Sequence, residues 1–311
     1  MKKKTLTQFV LRFLLCISLS AVFAFSIITF AIPRQHESSY QSVLVRQYNA
    51  YKNMSGNKIV VLGHSSLAFG FDQDLMSELT GIPCQMIGIH GGIGMEYLMN
   101  MAKSNLLEGD IVILEYAGSS TVSPELLLTG LENNIEPYQF IPISDIDDFV
   151  EQFPTYAVKK IKYFLNIEKI KYQGLYCANA FDEKGNMIKE RGTTIPENYD
   201  RSFYGEASWS EFVPEEVVLI YNDFIAYCKN KNIQVLVTVS PYIDEAILSS
   251  KEEIIASNEA LQEQLDAPLV SSSLDYIFSR EYMGDTIAHC NTLGAKKRTI
   301  QLYEDIKEYL Q

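Results

Sequence analysis

The sequence predicts a three-layer, doubly wound α/β domain built on a parallel sheet and preceded by an apolar N-terminal helix. Three observations carry that reading: four short apolar runs along the chain, amphipathic stretches between them, and one long uncharged run near the N-terminus. Strands buried on both faces of a parallel sheet read as nearly continuous apolar segments, and their alternation with helical segments marks βαβ units.

The strands are expected at 58–62, 85–89, 110–116 and 233–239. Asp72 is placed to cap a short helix closed by Gly81, and 94–107 carries a loose helical period. Pro214-Glu215-Glu216 opens a helix whose apolar positions Val217, Ile220, Tyr221, Phe224, Ile225 and Cys228 share a face. Ser249 with Glu252 has capping-box spacing, and Asn291 or Thr292 starts the last helix, with Thr299, Leu302, Tyr303, Ile306 and Leu310 along it.

Residues 13–32 hold no charge and follow Lys2, Lys3, Lys4 and Arg12, enough for one membrane-crossing helix. The run exceeds the apolar core of about 7–15 residues usual in a removable signal. A retained single-pass anchor in the cell membrane is therefore preferred over cleavage, with a cytoplasmic N-terminus and an extracytoplasmic domain after Pro33. The expected division is 1–33 for the basic tip and anchor, 34–57 for a linker and first helix, and 58–311 for the α/β domain.

Residues 1–35 hold five Lys or Arg and no acid, leaving 21 basic against 39 acidic residues, a net charge of −18, in the rest. Nucleic acid is not an expected partner for so acidic a domain. Cys16 lies within the apolar run, while Cys84, Cys177, Cys228 and Cys290 follow it without a CxxC or a short-spaced Cys/His set. No metal or cofactor is expected. The four later cysteines are free to pair or not, since a domain this long can bury its own core.

Across about 117–213 the strand–helix alternation gives way to an aromatic-rich insertion holding Tyr138, Phe140, Phe149, Phe153, Tyr156, Tyr163, Phe164, Tyr172 and Tyr176. These rings either pack a core of their own or cover the carboxyl edge of the sheet, where α/β proteins place ligands.

Candidate chemistry lies at the two ends of the domain. After the first strand, Gly63-His64-Ser65-Ser66 combines a residue that permits a sharp turn with an exposed hydroxyl. Near the C-terminus, Asp285 and His289-Cys290-Asn291 put a carboxylate, an imidazole and a helix-start Asn within seven residues. A serine, a histidine and an acid so placed form the candidate triad Ser65, His289 and Asp285. Of the other histidines, His64 either contacts an anionic head group or faces solvent from the turn, and His90 either lines the cleft or is satisfied by neighbouring polar groups.

These blocks resemble the SGNH/GDSL hydrolase superfamily. Within it they are similar to the membrane-anchored bacterial cell-envelope branch related to teichoic-acid D-alanyl transfer and polysaccharide O-acetylation. Gly63-His64-Ser65 matches the first block, with His64 where relatives often have Asp. His289-Cys-Asn291, Gly294-Ala295 and Lys297-Arg298-Thr299 match the last. The resemblance covers roughly 58–116 and 215–310. It implies the SGNH, flavodoxin-like form of the fold, with Ser65 as nucleophile and His289 as base. It also implies Gly88, with Gly91 and Gly92, as the second-block glycine, and Ser240-Pro241-Tyr242 as a pocket wall.

Three departures stand out. Asp285 precedes His289 by four residues rather than three, so a bulged loop is expected. Met86 stands where relatives often carry a polar residue. Glu115-Tyr116 replaces the Gly-x-Asn whose amide completes the oxyanion hole. Either the hole is built from the Ser65 and Gly88 N–H groups alone, or the protein is slow or inactive. Gly63, His64, Gly88, Gly91, Glu115 and Asn291 are the expected oxyanion and cleft residues. The implied activity is acyl-ester hydrolysis or transfer on an acylated glycan or envelope polymer, with a membrane acyltransferase among its possible partners. Two alternatives are a degenerate surface module that binds glycan or a membrane partner and, below it, a nucleotide-binding protein. For the last, Gly88-Ile-His-Gly91-Gly92 lacks the required spacing.

Overall fold

A computed structural model describes residues 2–32, 34–118, 122–168, 171–209 and 213–310. Pro33, the expected end of the anchor, lies outside the described residues. Helix α1 (Lys2–Ser26) continues as π-helical turns over Ile27–Ala31. Within it, Leu6–Thr29 is 24 residues long and apolar enough to span a bilayer.

Helix α2 (Val43–Lys52) leads into β1 (Ile59–Leu62), followed by α3 (Ser65–Gly70) and α4 (Gln73–Thr80). Next come β2 (Cys84–Ile87), α5 (Met95–Ala102) and β3 (Ile111–Tyr116). The middle of the chain contributes α6 (Pro124–Gly130), α7 (Ile146–Phe164) and α8 (Arg201–Tyr204). Helix α9 (Glu215–Lys229) and β4 (Gln234–Val239) complete the sheet. After them come β5 (Tyr242–Ile243), α10 (Lys251–Gln264), β6 (Ile277–Phe278) and α11 (Thr292–Ile306).

The four main strands are parallel in the order β2-β1-β3-β4, and β5 and β6 form a small parallel pair. Strand periodicity divides the core into two layers. Val60, Leu62, Val112, Leu114, Val235 and Val237 face α2, α5 and α9, whereas Ile59, Val61, Ile111, Ile113 and Leu236 face α4 and α11. All these strand residues are buried, which explains why the strands read as unbroken apolar runs.

The expected strands form with small shifts, and the second, expected to run to Ile89, ends at Ile87 for an identifiable reason. Gly88 is bound by a side chain instead of a strand: its N–H donates to Gln47 Oε1 at 3.0 Å, and its C=O accepts from Gln47 Nε2 at 3.1 Å. A Cβ on Gly88 would lie 1.9 Å from the Gly63 carbonyl oxygen, so the ends of β1 and β2 meet there with no room for a side chain.

Asp72 and Gly81 bound α4 as expected, and Asn291 caps α11. The capping box falls one residue later than expected, on Ser250 and Glu253. The helix expected over 94–107 stops at Ala102, where Ser104 and Asn105 bond back in turns. Each cysteine carries a free thiol, with Cys84, Cys228 and Cys290 buried. In the middle region Tyr138, Phe140, Phe149 and Tyr176 pack against the main core layer.

Replacing Gln47 by Leu would strand two buried backbone groups of Gly88. The expected loss is about 2–6 kcal/mol of stability, at roughly 1–3 kcal/mol for each of the two unsatisfied groups. Urea unfolding of the full chain in detergent checks it.

Candidate functional site

The turn after β1 is built around a buried carboxylate. Glu115, near the end of β3, and Arg298, on the inner face of α11, form an ion pair at 2.9 Å with both side chains 1% exposed. Ser66 Oγ and Ser240 Oγ donate to Glu115 Oε1 at 2.7 and 2.5 Å, and the His64 N–H donates to Oε2 at 3.3 Å. Arg298 Nη1 also donates to the Ser66 carbonyl at 2.6 Å. A Cβ at Gly63 would sit 2.2 Å from Glu115 Oε2, so only glycine fits over this carboxylate.

Burial would raise the Glu115 pKa, but the Arg298 charge and the serine hydrogen bonds outweigh it and hold the carboxyl below its ordinary range. Glu115 is therefore a structural anion beneath the turn, and its oxygens are already occupied by protein donors. It offers no donor where the resemblance would place an amide. The same bonds separate the two adjacent serines. Ser66 is committed to Glu115, whereas the Ser65 hydroxyl has no partner among the described residues.

At the other end of the domain, a bridge between Met283 and Cys290 and a 2.7 Å hydrogen bond from the Gly284 N–H to the His289 carbonyl close a tight loop. Thr286 Oγ1 accepts from the His289 N–H at 3.1 Å inside it. This loop absorbs the extra residue between acid and base: Asp285 Oδ1 lies 3.1 Å from His289 Nδ1. A proton on Nδ1 satisfies that contact and leaves Nε2 as a proton acceptor.

Two aromatic rings fix the pair. His289 stacks on Phe69 with centroids 4.4 Å apart and planes 10° apart. The Tyr176 hydroxyl donates to Asp285 Oδ2 at 2.7 Å and lies 3.4 Å from His289 Nδ1. Burial pushes the Asp285 pKa up, but the hydrogen bonds from His289 and Tyr176 bring it below the ordinary carboxyl value. Burial also lowers the pKa of His64 and His90, which favours their neutral forms.

A cleft of about 470 Å³ opens at the carboxyl edge of the sheet, lined in part by His64, Ser65, Gly91, Ser240, Tyr242 and Ala288. Ser65 and Ala288, the neighbour of His289, thus share one cavity. No Ser65–His289 hydrogen bond is present among the described residues. The N–H groups of Ser65 and Gly91 have no protein acceptor among the described residues, while the Gly92 N–H donates to His90 Nδ1 at 2.9 Å.

Several expected oxyanion and cleft residues have other places. Gly88 is excluded as an oxyanion donor because its N–H is held by Gln47. Gly63 and Glu115 lie under the turn, off the cleft lining. Asn291 caps α11, accepting from the Gly294 N–H at 2.9 Å and donating to the Glu281 carbonyl at 2.6 Å. His64 and Gly91 do line the cleft.

Tyr176 and Gln47 escaped sequence reasoning. Tyr176 comes from the stretch without periodicity, and nothing local marks Gln47. Arg298 did leave a signal, since a charged residue stands on the buried face of α11 alongside Ala295, Thr299 and Leu302. No protein-family model and no curated protein matches this chain.

Breaking the buried pair is expected to be costly. Glu115→Leu or Arg298→Met alone should lose about 3–5 kcal/mol, whereas the double variant should lose less than either, because no unpaired charge is then buried. Because the folded pKa of Glu115 is depressed, its contribution is full above the ordinary carboxyl range and disappears as pH falls through the folded value. Chemical denaturation of the three variants at neutral and acid pH measures both effects.

Proposed function

We propose that this chain is a membrane-anchored serine acyl-ester hydrolase or acyltransferase, with Ser65 as nucleophile, His289 as general base and Asp285 as the residue orienting the base. The observation carrying this reading is the 3.1 Å Asp285–His289 contact beside a cleft that the unengaged Ser65 also lines. Triad hydrogen bonds are often loose before substrate binds, so an open Ser65–His289 contact is compatible with it.

In the proposed reaction, His289 Nε2 accepts the Ser65 proton as Oγ attacks an acyl carbonyl. The N–H groups of Ser65 and Gly91 are the available donors to the resulting oxyanion. His289 then protonates the departing oxygen, leaving an acyl group on Ser65. Water or an acceptor hydroxyl releases that group through the same base. An acylated envelope polymer as substrate, and transfer as the outcome, come from the resemblance.

A second reading is a non-catalytic module that binds glycan in the same cleft. It is favoured by Glu115, an acceptor, standing where the amide donor is expected.

A fluorophosphonate probe separates the two readings. Labelling of the folded chain that disappears in both Ser65→Ala and His289→Ala supports catalysis, whereas a folded wild-type chain that never labels supports the binding module. Asp285→Asn should slow labelling about 10³–10⁴-fold through the wrong imidazole tautomer.

Tyr176→Phe tests the aromatic contact. Without that phenol, Asp285 Oδ2 loses its 2.7 Å donor and the carboxylate is held less firmly against His289. Labelling should therefore slow while the Ser65 adduct still forms.

A further inference from the structure

A second, mainly apolar cavity lies away from Ser65. It encloses about 880 Å³ between the outer end of α1 and the α6–α7 region, with Val22, Phe25, Leu131, Phe149, Val150 and Phe153 among its lining residues. Phe25 of α1 packs on Phe153 of α7 with ring centroids 5.0 Å apart.

The chain leaving α1 is also bound to this region. Glu132 Oε2 accepts the N–H groups of Gln35 and His36 at 2.8 and 2.7 Å, and Oε1 pairs with Lys160 of α7 at 2.7 Å. Both side chains of that ion pair are almost fully buried. Thr29 ends the apolar span and Gln35 is already attached, so the intervening chain, at about 3.4 Å per residue, reaches no further than roughly 20 Å. The α7 region is thereby held near the point where α1 leaves its span.

That region presents an apolar strip to solvent. Ile143 is 87% exposed, Val150 68% and Ile167 67%, and Ile146, Ile161 and Leu165 are exposed as well. Ile146, Val150, Phe153 and Ile161 follow the helical period along one side of α7, and Leu165 is its C-cap. The three lysines of α7 are already paired, Lys159 with Glu125, Lys160 with Glu132 and Lys162 with Glu168. The face therefore has the composition of an interfacial helix that binds through apolar area instead of lipid charge.

We propose that α7 lies in the leaflet through which α1 exits, with acyl chains filling the cavity between them. The Ser65 domain is then seated on the bilayer as a fixed body. This inference rests on reading α1 as a membrane span, and its test keeps the two apart.

Full-length protein is reconstituted into phosphatidylcholine vesicles with plain or brominated acyl chains. Ile143→Trp, Val150→Trp, Leu14→Trp and Leu293→Trp are compared with the parent, whose single tryptophan, Trp209, is buried. Leu14 reports the span, and Leu293, exposed on α11 across the sheet from α2 and α5, reports the opposite face. An interfacial helix rides about 5–10 Å into the headgroup–acyl boundary, so bromine should cut emission at 143 and 150 about twofold, as at 14, with no change at 293.

Quenching at 14 with 143 and 150 unchanged overturns the seating while leaving the anchor in place, whether that face meets water, a second copy or a membrane protein. Absence of quenching at 14 removes the anchor and the seating with it.

Discussion

The Glu115–Arg298 pair is the constraint on which the site depends. It joins the end of β3 to the last helix, and the same carboxylate holds the turn after β1 and Ser240 after β4. Four segments distant in sequence thus converge on one buried anion. Such an arrangement demands full satisfaction, because an unpaired charge inside a core is far more costly than an apolar pair. It also explains Gly63, whose missing side chain makes room for the carboxylate.

The contacts favouring catalysis and those arguing against it come from the same place. Glu115 secures Ser66 and leaves Ser65 uncommitted at the cleft, which suits a nucleophile. It also offers the cleft no donor, because its oxygens lie under the turn and accept from Ser66, Ser240, Arg298 and the His64 N–H. In the proposed reaction, oxyanion stabilisation falls to backbone N–H groups. Gly91 is better placed than Gly88 for that role, because the Gln47 amide already holds the Gly88 N–H.

The sheet was legible because strands buried on both sides need apolar residues at every position. The helix boundaries at Asp72, Gly81 and Asn291 were legible because caps depend on local backbone chemistry. Asp285 and His289 were legible as a pair because one short loop carries both. Tyr176 was not, since its contact with Asp285 spans 109 residues and comes from a segment with no period to fix its direction. Gln47 was hidden for a similar reason: a side-chain amide imitating a strand leaves no trace in the apolar pattern. Glu115 was visible as a departure from the expected block and Arg298 as a charge on the apolar face of the last helix, but nothing local says that the two meet across 183 residues.

The stacking of Phe69 on His289 links two parts of the site that appear independent in the chain. Phe69 lies four residues after Ser65 on α3, so the helix that begins with the hydroxyl carries, one turn later, the ring on which the imidazole rests. The spacing between serine and histidine is thus set by one rigid helical turn as well as by the C-terminal loop. A smaller side chain at position 69 would therefore move the imidazole relative to Ser65 without touching either residue, and the distance between nucleophile and base would be lost from the helix side.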